Sequence, residues 1–401
     1  MDRPFSIHLV ALALTKTADG LIDPKLVLSW LLNAIGAPGY IIGMLVPVRE
    51  SGALLPQLLL ARLIQRSRIR KYYWAGGAAL QGLAALGMAL AAVSLSGAVA
   101  GWVIIALLTV LAIARSACSA SYKDVLARTI DKGTRGKVSG SAGTIAAMTV
   151  LAFAVLLSSG LLPRDPQVIS AAIMVAGVLW LIAAIVFATL DESSDKSAES
   201  VDVSLAGLLQ PLQEDGELRN YIATRALLIS TALAPPFLVM LGSADGAVGN
   251  LGLLVLASSM ASIVSSYIWG ALSDWSSRQT LMLAGAVSGV ILAGAAVTGL
   301  FDVNDEFGML IAGYVFVSQI AYQGVRAGRK THLTDMDSAG RRSIYTALSN
   351  TLIGGFLVLG GLLGGLAELA GPESVLALLA ALSLSAIFSA CRLSEVQREP
   401  R

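Results

Sequence analysis

A short stretch near the start of the chain places two acids and two amines among apolar residues. In "LALTKTADGLIDPKLVL", residues 12–28, these are Lys16, Asp19, Asp23 and Lys25. Lys16, Asp19 and Asp23 are spaced i, i+3 and i+7, so they share one face of a helix. Burial raises the pKa of a carboxyl group and a nearby cation lowers it. A carboxylate whose cationic partner moves away therefore takes up a proton, and the spacing indicates proton chemistry.

The next apolar segment carries further polar groups. Arg49 and Glu50 are adjacent, and Gln57 lies about two helical turns beyond Glu50, on the same face. An ionised side chain costs about 3 kcal/mol at the centre of a bilayer, so such groups must face one another or a cavity. As proton carriers we rank Asp19 first, Glu50 second and Asp23 third.

These charges also have a purely structural interpretation. Lys16 with Asp19, and Arg49 with an acid, could form ion pairs that only fix helix packing. The second half of the chain shows no intramembrane acid. It offers instead a set of cationic, amide and aromatic side chains: Arg225, Gln319, Tyr322, Gln323, Arg326 and Asn350. A cavity with acids on one wall and bases or amides on the other suits an anionic or zwitterionic solute.

The elements that must position these residues are transmembrane helices. Of the 401 residues, 56% are hydrophobic and 13% are charged, whereas about 25% of a soluble protein is charged. Runs such as "VISAAIMVAGVLWLIAAIVFATL" are long enough to span a bilayer as helices and lack the alternation of a barrel strand. With no Ser-His-Asp arrangement, P-loop or metal motif, we expect no enzyme, no cofactor and no bound metal.

Twelve candidate spans can be drawn on this all-α membrane protein. They lie roughly at 6–32, 39–64, 71–95, 98–122, 137–160, 167–189, 219–242, 249–272, 279–301, 307–328, 343–366 and 374–393. We predict an N-terminal six-helix half (1–190), an acidic cytoplasmic linker (191–217) and a C-terminal six-helix half (218–401). Lysine and arginine concentrate after the second, fourth and tenth spans, which predicts that both termini are cytoplasmic.

The two halves repeat each other. "GAPGYIIGML" from Gly36 resembles "GAVGNLGLLV" from Gly246, and "LARTIDKGTRGKV" from Leu126 faces "LTDMDSAGRRSI" from Leu333 at nearly the same separation. A near-constant offset indicates two parallel copies related about the membrane normal, an arrangement known from transporters that work by alternating access.

A loop motif carries a family resemblance over the whole chain. "GALSDWSSRQTL", from Gly270 to Leu281, is similar to the signature G-x-L-x-D-x-x-G-R-[RK] of the major facilitator superfamily (MFS), with Gly270, Asp274 and Arg278 matching. Its first-half copy, "ARLIQRSRIRK", is degenerate but keeps Arg66 and Arg70. The resemblance implies the MFS fold of twelve transmembrane helices in two six-helix halves. It also implies that these loops gate the conformational change by clamping neighbouring helices.

The same resemblance singles out Arg115, in "IARSACSASY". The fourth helix of the family often carries an arginine that is linked to proton coupling, although here Cys118-Ser119 replaces the usual Gln-Gly. The Gly-Pro signature of drug antiporters is absent from "VSGSAGTIAAMTVLAF", which disfavours multidrug export.

The sequence thus predicts a secondary active transporter of a small molecule, coupled to protons through Asp19, Glu50 and Asp23. The expected substrate cavity comprises Lys16, Arg49, Gln57, Arg115, Gln319, Tyr322, Gln323, Arg326 and Asn350. The alternatives are an uncoupled facilitator or exchanger of an organic anion, and a membrane scaffold or sensor without transport. We expect a monomer in the cell inner membrane, multi-pass, with the bilayer, protons and an anionic or zwitterionic solute as partners and no nucleic acid. The substrate and the direction of transport stay open.

Overall fold

The computed structural model describes residues 3–57, 60, 63–64, 67–131, 134–163, 165–192, 205–243, 251–301, 307–336 and 342–397. Within these ranges the secondary structure is helical, without strands. The first helices are α1 (Arg3–Leu21), α2 (Val27–Ala34), α3 (Gly39–Leu54), α4 (Lys71–Ser94), α5 (Gly97–Thr129), α6 (Arg135–Ser158) and α7 (Pro166–Ala188). They are followed by α8 (Leu205–Glu214), α9 (Gly216–Leu227), α10 (Ser230–Ser243), α11 (Leu251–Trp275), α12 (Ser277–Thr298), α13 (Phe307–Met336), α14 (Arg342–Gly360) and α15 (Leu363–Ala390).

The helices have the surface of a membrane protein. In the described part of the chain, eight helical segments are long and apolar enough to cross a bilayer. Along α4, Leu83 and Leu90 point outward and are exposed, whereas the small residues Ala78 and Ala85 are buried against neighbouring helices. Small residues at helix interfaces and large apolar ones at the lipid surface are the pattern expected in a bilayer. The prediction of an all-α membrane fold is confirmed.

The first predicted span, 6–32, is interrupted at its proline. Helix α1 ends at Leu21 and α2 begins at Val27, with Pro24 between them. Proline lacks an N–H donor and disfavours helical geometry in the residue before it. The freed polar groups find local partners: the Lys25 backbone N–H donates to Oδ1 of Asp23 (3.1 Å), and Oγ of Ser29 donates to the Pro24 carbonyl (2.8 Å). The chain is therefore locally unwound around Pro24.

A corresponding break lies in the second half. Pro235 and Pro236 lie inside α10, and the helix is interrupted ahead of them, at Leu228–Ile229. Proline rings press on the carbonyls four residues earlier. At those positions, the backbone N–H groups of Thr231 and Ala232 donate to carbonyls only three residues back (3.2 and 2.8 Å).

Helices α1–α7 pack mainly on one another, as do α9–α15, and the two groups meet through α2, α3 and α6 on one side and α10, α11, α14 and α15 on the other. We call the side on which residues 3 and 397 lie the terminal side, and the opposite side the far side. On the far side the groups touch closely: a Cβ on Gly43 would overlap the Cα of Gly364, and one on Gly252 would overlap the backbone nitrogen of Ser158. Tyr40 N–H also donates to Glu368 Oε2 (3.3 Å). These contacts hold the two groups of helices together on the far side.

Candidate functional site

A cavity of about 260 Å³ lies between the two groups of helices. One wall comes from α1, the unwound segment after it, α3 and α5, and the other from α10, α11 and α13. Its lining includes most of the residues that the sequence singled out: Asp19, Asp23, Pro24, Lys25, Leu26, Val46, Arg49, Glu50, Ala53, Arg115, Pro235, Ser258, Val315, Gln319, Tyr322 and Arg326. We refer to it as the central cavity.

Asp19 forms ion pairs with two of the cations that line this cavity. Its Oδ1 accepts from Nη2 of Arg49 (2.7 Å), and both of its carboxylate oxygens accept from Nη1 of Arg115. The Arg49 side chain is 10% exposed and that of Arg115 is 38% exposed. One carboxylate thus holds two guanidinium groups, of which Arg115 is the one that faces open space.

Lys16 does not take the place expected for it as the ion-pair partner of Asp19. Its Nζ donates to the Ser139 carbonyl on α6 (3.0 Å). A helix places residues i and i+3 on one face, but a planar guanidinium offers paired donors that match a carboxylate better than an ammonium does. The arginines of α3 and α5 therefore complete the site in place of the nearby lysine.

Lys25 reaches the cavity because the helix unwinds before it. Its Nζ lies 3.3 Å from the centroid of the Tyr322 ring on α13, a cation–π contact across the cavity. The Arg326 guanidinium lies 5.9 Å from the same ring. Lys25 was not among the predicted cavity residues, because on a continuous helix it would not share the face of Lys16, Asp19 and Asp23. Glu50 and Asp23 complete this part of the lining.

Amide side chains line and link the two groups of helices. Gln319 and Gln323 both donate to Oγ of Ser262 on α11 (3.0 Å each). Nδ2 of Asn350 on α14 donates to Oε1 of Gln57 (3.3 Å), a direct bond between the groups. Of these amides, Gln319 lines the central cavity, whereas Gln57, Gln323 and Asn350 do not.

Arg225 is held inside the protein. Its guanidinium donates to Oγ of Ser349 and to Oδ1 of Asn350 (2.9 Å each), and the residue is buried. It thus supports the amide link through Asn350.

A second cavity, of about 300 Å³, lies within the first group of helices. Its lining combines aromatic rings with polar and cationic groups: Leu12, Thr15, Lys16, Asp19, Trp74, Gln81, Arg115, Cys118, Ser119, Tyr122, Lys123 and Trp180. Asp19 and Arg115 border both cavities, so their ion pair forms part of the partition between them. We call this the side cavity. Sequence reasoning missed its aromatic residues, because they come from three helices whose mutual placement no spacing reveals.

Cations outnumber acids around both cavities. Lys25, Arg49, Arg115 and Arg326 face Asp19, Asp23 and Glu50 in the central cavity. In the side cavity the cations are Lys16, Arg115 and Lys123, and Asp19 is the acid. Low-dielectric walls strengthen the field of such clusters, which attracts anions. Among the described residues no group of three His, Cys, Asp or Glu side chains could hold a metal ion.

Comparison with solved structures finds transporters that have a similar architecture. A point mutant of the nucleoside transporter NupG superposes with a TM-score of 0.75 at 14% identity, covering 97% of this chain and 99% of that one. NupG itself gives 0.70 at 13% identity, with 98% of each chain covered. A POT family transporter in complex with a thioalcohol-conjugated peptide gives 0.69 at 9% identity, covering 96% and 95%.

The chain has the major facilitator superfamily fold. No protein-family model and no curated protein matches the sequence. At identities this low the likeness concerns the fold, which the loop motif and the internal repeat had already indicated. The predicted resemblance to MFS transporters is confirmed at that level.

In this MFS fold the predicted gating loops lie on the terminal side, away from both cavities. Gly270 and the exposed Asp274 are at the end of α11, and Nε of Arg278 on α12 lies 3.3 Å from Oε2 of Glu395. In the first half, Nη1 of Arg70 pairs with Oδ2 of Asp124 (2.7 Å). Arg66 lies outside the described residues. The role of these loops as a conformational clamp stays a prediction.

Proposed function

We propose that this protein is a proton-coupled secondary transporter of a small organic anion that works by alternating access. The observation that carries the proposal is the bridging of Arg49 and Arg115 by Asp19, in a cavity between two groups of helices. A charged cluster of this kind inside a membrane protein carries a free-energy cost unless its charges pair with one another or serve a function. The surplus of cations supports an anionic substrate over a cationic one.

Proton coupling follows because Asp19 and the substrate anion compete for the guanidinium of Arg115. While Asp19 is ionised, its carboxylate occupies the guanidinium that a substrate anion would need. Protonation removes the charge of Asp19 and weakens both ion pairs, which leaves Arg115 available, because it is the more exposed of the two arginines. A proton and an anion would then bind together, so that the loaded cavity carries nearly the same charge as the empty one when the halves rearrange.

The architecture of the proposed transporter comprises twelve spans. Helices α1 with α2 and α9 with α10 each form one broken span. Helix α15 changes direction at Gly371 (φ 79°), which divides it between the eleventh span, begun by α14, and the twelfth. In this proposal residues 1–190 and 218–401 form the two halves, and 191–217 forms the linker. Both termini then face the cytoplasm, and the closely packed far side faces outward from the cell inner membrane.

Proton coupling is testable in proteoliposomes that carry an imposed pH gradient. With labelled benzenesulfonate, succinate and phenylalanine as probes, the wild-type protein should accumulate at least one solute only when the gradient is present. Asp19→Asn should abolish accumulation and retain exchange of that solute across the bilayer. Asp165→Asn is a matched control, because Asp165 is a carboxylate that caps α7 through the Val168 N–H (2.8 Å) outside both cavities.

Two other outcomes decide between the remaining alternatives. Transport that ignores the gradient in the wild-type protein would identify an uncoupled facilitator, a function that the cation surplus alone could support. Absence of transport for every probe, in protein that remains folded, would contradict the proposal and favour a scaffold or sensor.

A further inference from the structure

The side cavity combines the features of a binding site for a flat organic anion. Trp74 and Tyr122 present rings toward it, with centroids 6.5 Å apart, and the Phe187 ring backs Trp74 at 4.0 Å. Cationic groups lie around the same space. Aromatic side chains lend large, rigid contact area to a planar group, and a cation fixes the orientation of an acidic one.

Arg115 has hydrogen-bond donors with which it could bind a ligand in this cavity. The hydrogen bonds described for its guanidinium use Nη1 alone, both to Asp19. Arginine carries five N–H donors in a planar fork, which suits a carboxylate or sulfonate in two-point contact. Because Arg115 borders both cavities, an acid bound to it from the central cavity could place its organic part in the side cavity.

We propose that the side cavity receives the aromatic portion of the transported substrate, whose acidic group replaces Asp19 on Arg115. The substrate class is then an aryl carboxylate or a similar aryl acid. Release of the Asp19–Arg115 pair would open the partition and join the two cavities. This inference rests on the proposed function, in that the bound acid is taken to be the transported one.

The cysteines of the chain provide a direct test of occupancy. The sequence has two, Cys118 and Cys391, and Cys118 lines the side cavity whereas Cys391 is exposed elsewhere. Cys118 is buried and its Sγ donates to the Trp74 carbonyl (3.3 Å), so in a Cys391→Ser protein its slow alkylation by N-ethylmaleimide reports on access to this cavity. We expect benzoate to slow this reaction by roughly fivefold or more, and butyrate, inorganic phosphate and the neutral benzyl alcohol to have little effect, since each lacks the ring or the charge.

A matched pair of variants separates ring contact from folding. Tyr122→Phe keeps the ring and should retain protection, whereas Tyr122→Leu should raise the half-protecting benzoate concentration roughly five- to tenfold. Arg115→Gln should remove protection. Equilibrium dialysis with radiolabelled benzoate should give the same ranking without relying on thiol chemistry.

Several results would overturn the proposal. Equal protection by butyrate or phosphate would show that the rings do not select the ligand, and equal protection by benzyl alcohol would show that Arg115 does not. Failure of benzoate to bind in both assays would also contradict it. These measurements are made in detergent without a pH gradient, on the wild-type protein and on Asp19→Asn, in which Arg115 is available without protonation of residue 19. A failure of proton coupling therefore leaves the result for Asp19→Asn unaffected, and a failure to bind in that variant leaves the transport test intact.

Discussion

At the residue scale, the Asp19 carboxylate is shared between two arginines, Arg49 and Arg115, rather than paired with a single cation. Its two oxygens serve guanidinium groups from α3 and α5, so removal of its charge leaves two cations close together. Unpaired charges in a poorly solvated site cost more than a lost neutral hydrogen bond. The same arrangement that makes Asp19 a candidate proton carrier also ties three helices together.

A double-mutant cycle measures this coupling. Asp19→Asn and Arg49→Gln should each destabilise the protein, and the double variant should be less unstable than the sum, because it removes a cation together with its counter-ion. We expect an interaction energy of roughly 0.5–3 kcal/mol in unfolding by SDS titration. Additive single effects would show that the Arg49 pair contributes no coupling.

At the element scale, each group of helices is closed by the segment that follows its last helix. After α7, Oε2 of Glu192 accepts from the backbone N–H groups of Arg70 (2.9 Å) and Lys71 (2.7 Å) at the start of α4. After α15, Oε1 of Gln397 accepts from the Ser277 N–H (2.9 Å) at the start of α12. Helix N-termini have unsatisfied donors, so both segments act as caps from a distance. The internal repeat extends to this detail.

Two adjacent acids give a controlled test of the first cap. The Glu192 side chain is 0% exposed, whereas that of Asp191 is 84% exposed and lies 3.6 Å from the similarly exposed Arg3. Glu192→Ala should cost about 1–3 kcal/mol of unfolding free energy, because it leaves buried donors without a partner. Asp191→Ala should cost less than about 0.5 kcal/mol, as expected for a surface pair. Thermal unfolding in detergent compares them, and similar losses would argue against the cap.

At the scale of the whole molecule, the two groups of helices are packed together on the far side and enclose the cavity. This packing includes a backbone contact between α3 and α15, which glycine permits. A Cβ on Gly364 would lie 2.6 Å from the Tyr40 carbonyl oxygen, whereas one on the neighbouring Gly365 would meet nothing within 4 Å. Such a contact must be broken if the cavity is to open on the far side.

Gly364→Ala should therefore shift the protein toward a far-side-open state. In a Cys118→Ser, Cys391→Ser background, a Val46→Cys probe in the central cavity should react several-fold faster with an impermeant maleimide that is applied from the far side. Gly365→Ala should leave that rate unchanged. Equal rates in the two variants would mean that this glycine contact does not control access.

The sequence by itself determined that the chain lies in a lipid bilayer, that its structure is helical and that its two halves repeat each other. Apolar composition, run length and a near-constant offset are local or one-dimensional properties, and they sufficed to indicate a membrane transporter fold with charge in its first span. Of the residues that the sequence singled out, Asp19, Arg49, Arg115 and Tyr322 line one cavity in the structure, and their roles stay predictions.

Only the tertiary structure decided the partners of those residues. Spacing suggested Lys16 for Asp19, but the packing of α3 and α5 against α1 brought two arginines whose geometry fits a carboxylate better. The unwinding at Pro24 turned Lys25 toward Tyr322, and the meeting of α4, α5 and α7 produced the side cavity. Contacts between helices distant in sequence depend on how side chains pack in three dimensions, and no periodicity along the chain records that.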